Sequence, residues 1–228
     1  MRKTLTIAEM ALHEVARRRA VLIIIAVLPL GFYLSRRGDH LGQSIRFVFL
    51  GVSWAISAAA LFAGAGARAI EPRLRLSGYQ VFHLYSGRLL ALWTLGLALA
   101  TPYFLLIRLD QHNVRYGAIA LTMLLLVAVA APFGLALSAV LPRELEGTLV
   151  LLLVVGLQML LNPDGTAAKV LPFWFSREIG TYAVDHTGAG YLARGLLHAV
   201  VAEALLVAVV ALASAVRLRR RSHLRFSA

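Results

Sequence analysis

The chain of 228 residues is 60% hydrophobic and only 15% charged, with a mean hydropathy of +0.77. Soluble domains average nearer half apolar and about a quarter charged, so a single soluble globular domain is excluded. The net charge is +12 and there is no cysteine. The basic residues gather at the ends of apolar runs, where anionic lipid headgroups attract them, which argues against nucleic acid as a partner. Disulfides and thiolate chemistry are absent.

A bilayer core of ~30 Å needs about 20 mostly apolar residues in a helix. Six apolar stretches stand out, at 20–34, 47–67, 89–107, 117–141, 148–161 and 195–216. The expected fold is an all-α integral membrane protein with six transmembrane helices in a single membrane domain over 1–228. The first stretch is short, but Arg17, Arg18 and Arg19 precede it and Arg36 and Arg37 follow, and such long side chains snorkel. No small-residue cleavage site of A-x-A type follows this run, so it is expected to stay in place rather than leave as a signal peptide. The fifth stretch is the shortest.

Ahead of the first span, Thr6 and Glu9 have capping-box spacing and set an expected helix start at Thr6. Leu5, Ala8, Leu12 and Val15 recur at helical spacing, so residues 1–19 read as an amphipathic helix lying at the membrane interface. The second span ends in the small-residue run from Ala58 to Ala67, which lets another helix approach closely. The loop 68–88 that follows is unusually apolar, with Leu74, Leu76, Tyr79, Val81, Phe82 and Leu84. Its Glu71-Pro72 pair opens a helix. An apolar segment outside the bilayer calls for a partner, either a lipid surface or another protein.

Pro102 and Pro132 interrupt the third and fourth spans and are expected to kink them. A short turn through Pro142, Arg143, Glu144 and Glu146 leads into the fifth span. Asn162-Pro163-Asp164-Gly165 is turn chemistry. The aromatic run Phe173-Trp174-Phe175 suits a membrane interface. Residues 162–194 are therefore expected to form one or two short re-entrant helices before the last span. Fifteen of the 23 basic residues fall on the side of the two termini, and eight fall on the other. Basic residues favour the cytoplasm, so both termini are expected there, in a multi-pass plasma-membrane protein. Arg outnumbers Lys by 21 to 2, a bias that points to a GC-rich bacterial genome.

Chemistry-bearing motifs are scarce. A P-loop needs Lys directly after Gly, whereas Lys3 follows Arg2 and Lys169 follows Ala168. The Ser77-Gly78 and Ser86-Gly87 pairs lack the preceding glycine of an intramembrane serine protease. Asp164-Gly165-Thr166-Ala167-Ala168-Lys169 resembles the start of the metal-binding motif of phosphatidyl-alcohol transferases. Glu178, Tyr182 and His186 then occupy the Gly, Asp and Asp positions of that motif, so no metal site is expected. Glu203 is the one acid well inside a span, and intramembrane acids default to a functional or helix-linking role. Gln158 and Ser57 are its expected polar partners.

The layout as a whole resembles the permease subunit of type-2 ABC exporters. The likeness rests on the helix before the first span, the loop from Arg68-Ala69-Ile70-Glu71-Pro72 onward, the run from Gly134 to Ser138 and the turn from Pro142 to Thr148, and Leu171-Pro172-Phe173-Trp174. It implies that loop 68–88 is a coupling helix seated in a groove of a separate ABC ATPase, with contacts at Glu71, Arg73, Leu74, Leu76, Tyr79 and Glu144. It also implies two permeases, of the same or a related chain, with two ATPases. The path between the permeases would be lined by Phe49, Trp54 and Ser57 on the second span and Gln158 and Met159 on the fifth. This chain would bind no cofactor, with ATP and Mg on the partner subunit, and the cargo would be amphiphilic or hydrophobic. The competing class is a lipid-modifying membrane enzyme or a non-catalytic membrane assembly factor.

Overall fold

The computed structural model describes residues 2–38, 42–141, 143–162 and 165–217. Pro142, Pro163 and Asp164, and the basic residues Arg219, Arg220, Arg221 and Arg225 counted in the charge asymmetry, lie outside the described residues. Among the described residues the structure is all helical: α1 (Arg2–Arg17), α2 (Arg19–Ser35), α3 (Gln43–Ala67), α4 (Glu71–Leu76), α5 (Val81–Asp110), α6 (Tyr116–Val140), α7 (Glu144–Leu160), α8 (Thr166–Val170), α9 (Trp174–Val184) and α10 (Ala189–Arg217).

Four of these, α3, α5, α6 and α10, are long and apolar enough to cross a membrane, and a fifth span results if the bent α1–α2 pair counts as one. Helices α2 and α7 have 17 residues each, which at 1.5 Å per residue reach only ~25 Å. Polar contacts sort the helix ends into two groups. Lys3 Nζ donates to the Gly78 carbonyl at 2.9 Å, and Arg68 donates to the carbonyls of Ser138 and Leu141. At the opposite end Arg37 pairs with Asp110 at 2.5 Å, Arg46 with Asp185 at 2.5 Å, and Arg177 donates to the Leu161 carbonyl at 2.8 Å.

Helices α3 and α6 form the centre. Their most apolar windows are 72% buried within the protein, against 17% for α10. The outer face of α10 presents Leu197, Val200, Leu205, Leu212 and Val216, all well exposed. A soluble monomer does not expose a continuous apolar strip of this kind, so these surfaces are suited to lipid. The small residues of α3 do what their size allows. A Cβ on Gly134 of α6 would stand 2.1 Å from the Ser57 backbone oxygen and 2.6 Å from Ala60 Cβ of α3. Gly64 of α3 likewise faces Ser138 of α6. Ser57 adds a buried hydrogen bond to the Ala130 carbonyl at 3.1 Å, so backbone contact and a polar link fix this seam together. Helix α6 continues through Pro132 and α5 through Pro102.

Two local expectations change, and α1 gains a packing face that the apolar spacing did not specify. Helix α1 is described from Arg2, not from Thr6, and the Thr6 hydroxyl donates back to the Arg2 carbonyl at 3.0 Å. A hydroxyl that can bond the preceding turn does not have to act as a cap. The buried residues of α1 are Ile7 and Ala8, while Leu5 is 57% exposed. The reason is Gly87 on α5, whose absent Cβ leaves room for the Thr4 carbonyl and Ile7. α1 therefore docks on α5 at Thr4 and Ile7, and its axis lies 75° from that of α2. Finally, Phe173 and Phe175 are in the core, at 1% and 0% exposure, rather than at a lipid interface. Phe173 stacks edge-on with Phe133 of α6 at 5.5 Å, and α9 packs between α6 and α10.

Candidate functional site

The segment between α3 and α5 carries the first cluster of candidate residues. Pro72 sits in the first turn of α4, where its missing N–H costs nothing. Glu71, expected at the rim of a partner contact, is instead 3% exposed and pairs with Arg88 of α5 at 2.9 Å. Two charges taken out of water hold each other only when both are present, so this pair fastens the start of α4 to α5. Lys3 binds the Gly78 carbonyl and lies over the Tyr79 ring at 5.5 Å, which pins the other end of the loop. Tyr79 is thereby half-buried.

What the anchored loop leaves outside is apolar. Leu76 is 90% exposed and Phe82, at the start of α5, is 70% exposed, with Arg73 exposed beside them. Leu74 turns the other way, into a cleft of about 580 Å³ between α1, α3 and α4 that also takes in Met10, Glu14 and Ile70. Glu144, exposed at the start of α7, lines a second cleft of about 400 Å³ with Glu14, Arg18 and Phe62. The coupling candidates thus divide: Arg73 and Leu76 face outward, Leu74 and Glu144 line neighbouring clefts, and Glu71 serves the fold. Phe82 belongs with the outward group. Its apolar character was visible in the sequence, but its direction was not.

The path candidates divide as well. Phe49, Gln158 and Met159 line one cleft of about 390 Å³ at the opposite end of the bundle. Ser57 is fully buried in the α3–α6 seam. Trp54 packs edge-on against Phe32 of α2, with ring centroids 5.9 Å apart. Both make packing contacts within the single chain.

The same cleft includes three cations that sequence reading treated only as span-end charges: Arg36, Arg46 and Arg177. Arg36 ends α2 and lies over the Phe47 ring at 5.2 Å. Arg46 lies in the first turn of α3 and is held by Asp185 at 2.5 Å. Arg177, on α9, caps the C-terminus of α7 through the carbonyls of Gln158 and Leu161, at 3.3 and 2.8 Å, where a cation also meets the helix dipole. Four chain segments contribute to this cleft, and no local spacing in the sequence relates them.

Glu203 lies on α10 within electrostatic reach of Tyr85 on α5, not against Gln158 or Ser57. One Glu203 carboxylate oxygen and the Tyr85 hydroxyl are both buried without a hydrogen-bond partner.

No protein-family model matches this chain, and no curated protein sequence matches it. The functional reading therefore rests on the residues and their arrangement.

Proposed function

We propose that this chain is the membrane-embedded permease subunit of an ATP-driven exporter of the type-2 ABC class, spanning the bilayer six times with both termini in the cytoplasm. A separate cytoplasmic ATPase binds ATP and Mg, and two permeases, of the same or a related chain, assemble with two ATPases. The cargo is amphiphilic or hydrophobic, carried outward across a bacterial plasma membrane. Helices α2 and α7 then span as short, tilted or locally thinned segments, α1 lies at the inner interface, and α8 and α9 form the outer re-entrant segment.

The observation that carries this reading is the anchored apolar projection of α4. Leu76 protrudes from a short helix held on both sides, by Glu71–Arg88 and by Lys3, and Phe82 is exposed just beyond it at the start of α5. A rigid apolar knob at a bundle end is what a partner groove recognises, since a few buried anchors usually dominate such interfaces. Arg73 supplies a rim charge. Changing Leu76 or Phe82 to Asp is expected to release the ATPase in co-purification, or to abolish transport-coupled hydrolysis, with the chain still folded. An intact complex with full coupling in the double variant would refute the docking site.

Orientation has its own test. Ser35 and Ser77 are exposed at opposite ends of the bundle. With the native chain free of cysteine, a Ser35→Cys variant is expected to react with a membrane-impermeant thiol reagent in intact cells, and Ser77→Cys only after lysis. The reverse pattern would invert the topology. Ser176, on α9, is unsuitable as a reporter because it is buried and donates to the Phe173 carbonyl at 2.8 Å.

A further inference from the structure

We infer that the cleft between α2, α3, α7 and α9 binds an amphiphile with an anionic headgroup, a phosphate or carboxylate, and an apolar tail. Its role as cargo site rests on the transport reading, whereas binding itself does not.

The chemistry of the walls carries the inference. Arg36, Arg46 and Arg177 line the cleft, and among the described residues none that lines it is acidic. Guanidinium groups are the side chains best matched to phosphate and carboxylate oxygens, which they bind through paired N–H donors. The floor is apolar, with Phe47, Phe49 and Leu50, and Met159 is 45% exposed at its edge. The volume of about 390 Å³ falls within the range of about 300–1,000 Å³ typical of small-molecule sites. It accommodates a headgroup and the first carbons of a chain, and the rest of the tail can run along the exposed face of Met159 and Leu160.

Two lining residues also hold unsatisfied polar atoms. Arg46 Nε is a buried donor without a partner, and Gln158 Oε1 is a buried acceptor without one. Gln158 as a whole is only 5% exposed. Buried polar groups are nearly always paired in folded proteins, so a donor and an acceptor left open in one cleft mark a place for a polar ligand group. An anionic oxygen answers Arg46, and a hydroxyl or bound water answers Gln158. Asp185 neutralises part of the Arg46 charge, and Arg36 and Arg177 bring two further guanidinium groups to the walls.

The full chain, purified in a neutral maltoside detergent, tests this without any ATPase. Dodecyl phosphate is expected to bind saturably by calorimetry and to raise the thermal midpoint, whereas dodecyl trimethylammonium does neither. Arg36→Gln, on an exposed residue, is expected to weaken dodecyl phosphate binding about tenfold, the loss of roughly one charge-assisted hydrogen bond. Gln158→Leu is expected to weaken it less. An unchanged melting midpoint in the absence of probe shows that both variants fold, and Arg36→Lys is expected to restore part of the affinity if Arg36 does not fold normally as Gln. Equal binding of the anionic and cationic amphiphiles, or full affinity in Arg36→Gln, overturns the site. Inorganic phosphate binding as tightly as dodecyl phosphate overturns the role of the apolar floor. Native mass spectrometry from nanodiscs of phosphatidylcholine with phosphatidylglycerol identifies a membrane source: selective retention of phosphatidylglycerol, lost in Arg36→Gln, supports the site, and retention unaffected by the variant counts against it. If binding holds but dodecyl phosphate leaves ATP hydrolysis by the assembled complex unchanged, the cleft stands and the transport reading of it falls.

Discussion

Replacing Arg88 with Ala is expected to destabilise the chain by about 3–5 kcal/mol, because it removes a guanidinium that pairs with a buried carboxylate. Glu71 and Arg88 sit at 2.9 Å with side chains 4% and 11% exposed, so neither can turn to water without moving α4. The paired replacement Glu71→Leu with Arg88→Met removes both charges and keeps apolar volume. It is expected to recover most of the loss, since well-packed apolar groups often match or exceed a buried ion pair. Unfolding by SDS titration in mixed micelles measures all three variants, and the double-mutant cycle isolates the coupling. A single Arg88→Ala variant as stable as the parent would show that water reaches Glu71. If the double variant is stable yet no longer binds an ATPase, the ion pair positions α4 for docking beyond its part in folding.

Gly134→Val is expected to be the most damaging small-to-large change in the centre of the bundle, at about 3 kcal/mol, the upper end for overpacked sites. Most overpacking is relieved by shifting a side chain. Here the obstacle is backbone, with the Ser57 carbonyl oxygen 2.1 Å and the Leu61 nitrogen 2.9 Å from where a Cβ would stand. Relief therefore requires α3 and α6 to separate, which also breaks the Ser57 to Ala130 hydrogen bond. Gly156 is the internal control. It lies within α7 and a Cβ there would meet nothing within 4 Å. Gly156→Ala is expected to be neutral or to stabilise by roughly 0.5–1 kcal/mol through helix propensity. Equal effects at both positions would mean that the α3–α6 contact is looser than the geometry indicates.

The coarse architecture was legible because membrane helices announce themselves by length and apolar content. The four longest apolar stretches coincide with α3, α5, α6 and α10 to within a few residues, apart from α5 and α10, which begin earlier. The helix opened by Glu71-Pro72 was legible from the steric fit of proline in a first turn, and the small-residue run of α3 from the close approach it permits. The start of α1 was misread because Thr6 satisfies two patterns, a cap and a back-bond to the preceding turn. Its docking face on α5 was not legible, because that face depends on Gly87, 80 residues away in the chain.

The site residues separate along the same line. Leu76 could be singled out as an apolar residue in a connector, and Phe49, Gln158 and Met159 as residues on the second and fifth apolar runs. Which of them share a cleft could not be read, because helical periodicity leaves the rotation of each helix undetermined until its neighbours are known. The arginines show this most plainly. Their positions at the ends of apolar runs were evident, and the reading that they serve lipid headgroups followed from position alone. Composition and apolar run length by themselves determined an all-helical protein suited to a membrane, because the cost of leaving backbone groups unpaired in hydrocarbon allows few alternatives. Only the tertiary structure decided that Arg88 holds Glu71, that Arg68 and Arg177 cap neighbouring helices, and that Arg36, Arg46 and Arg177 meet around one cleft. Charge pairing and helix capping act over a few ångströms between segments far apart in the chain, and packing sets those distances.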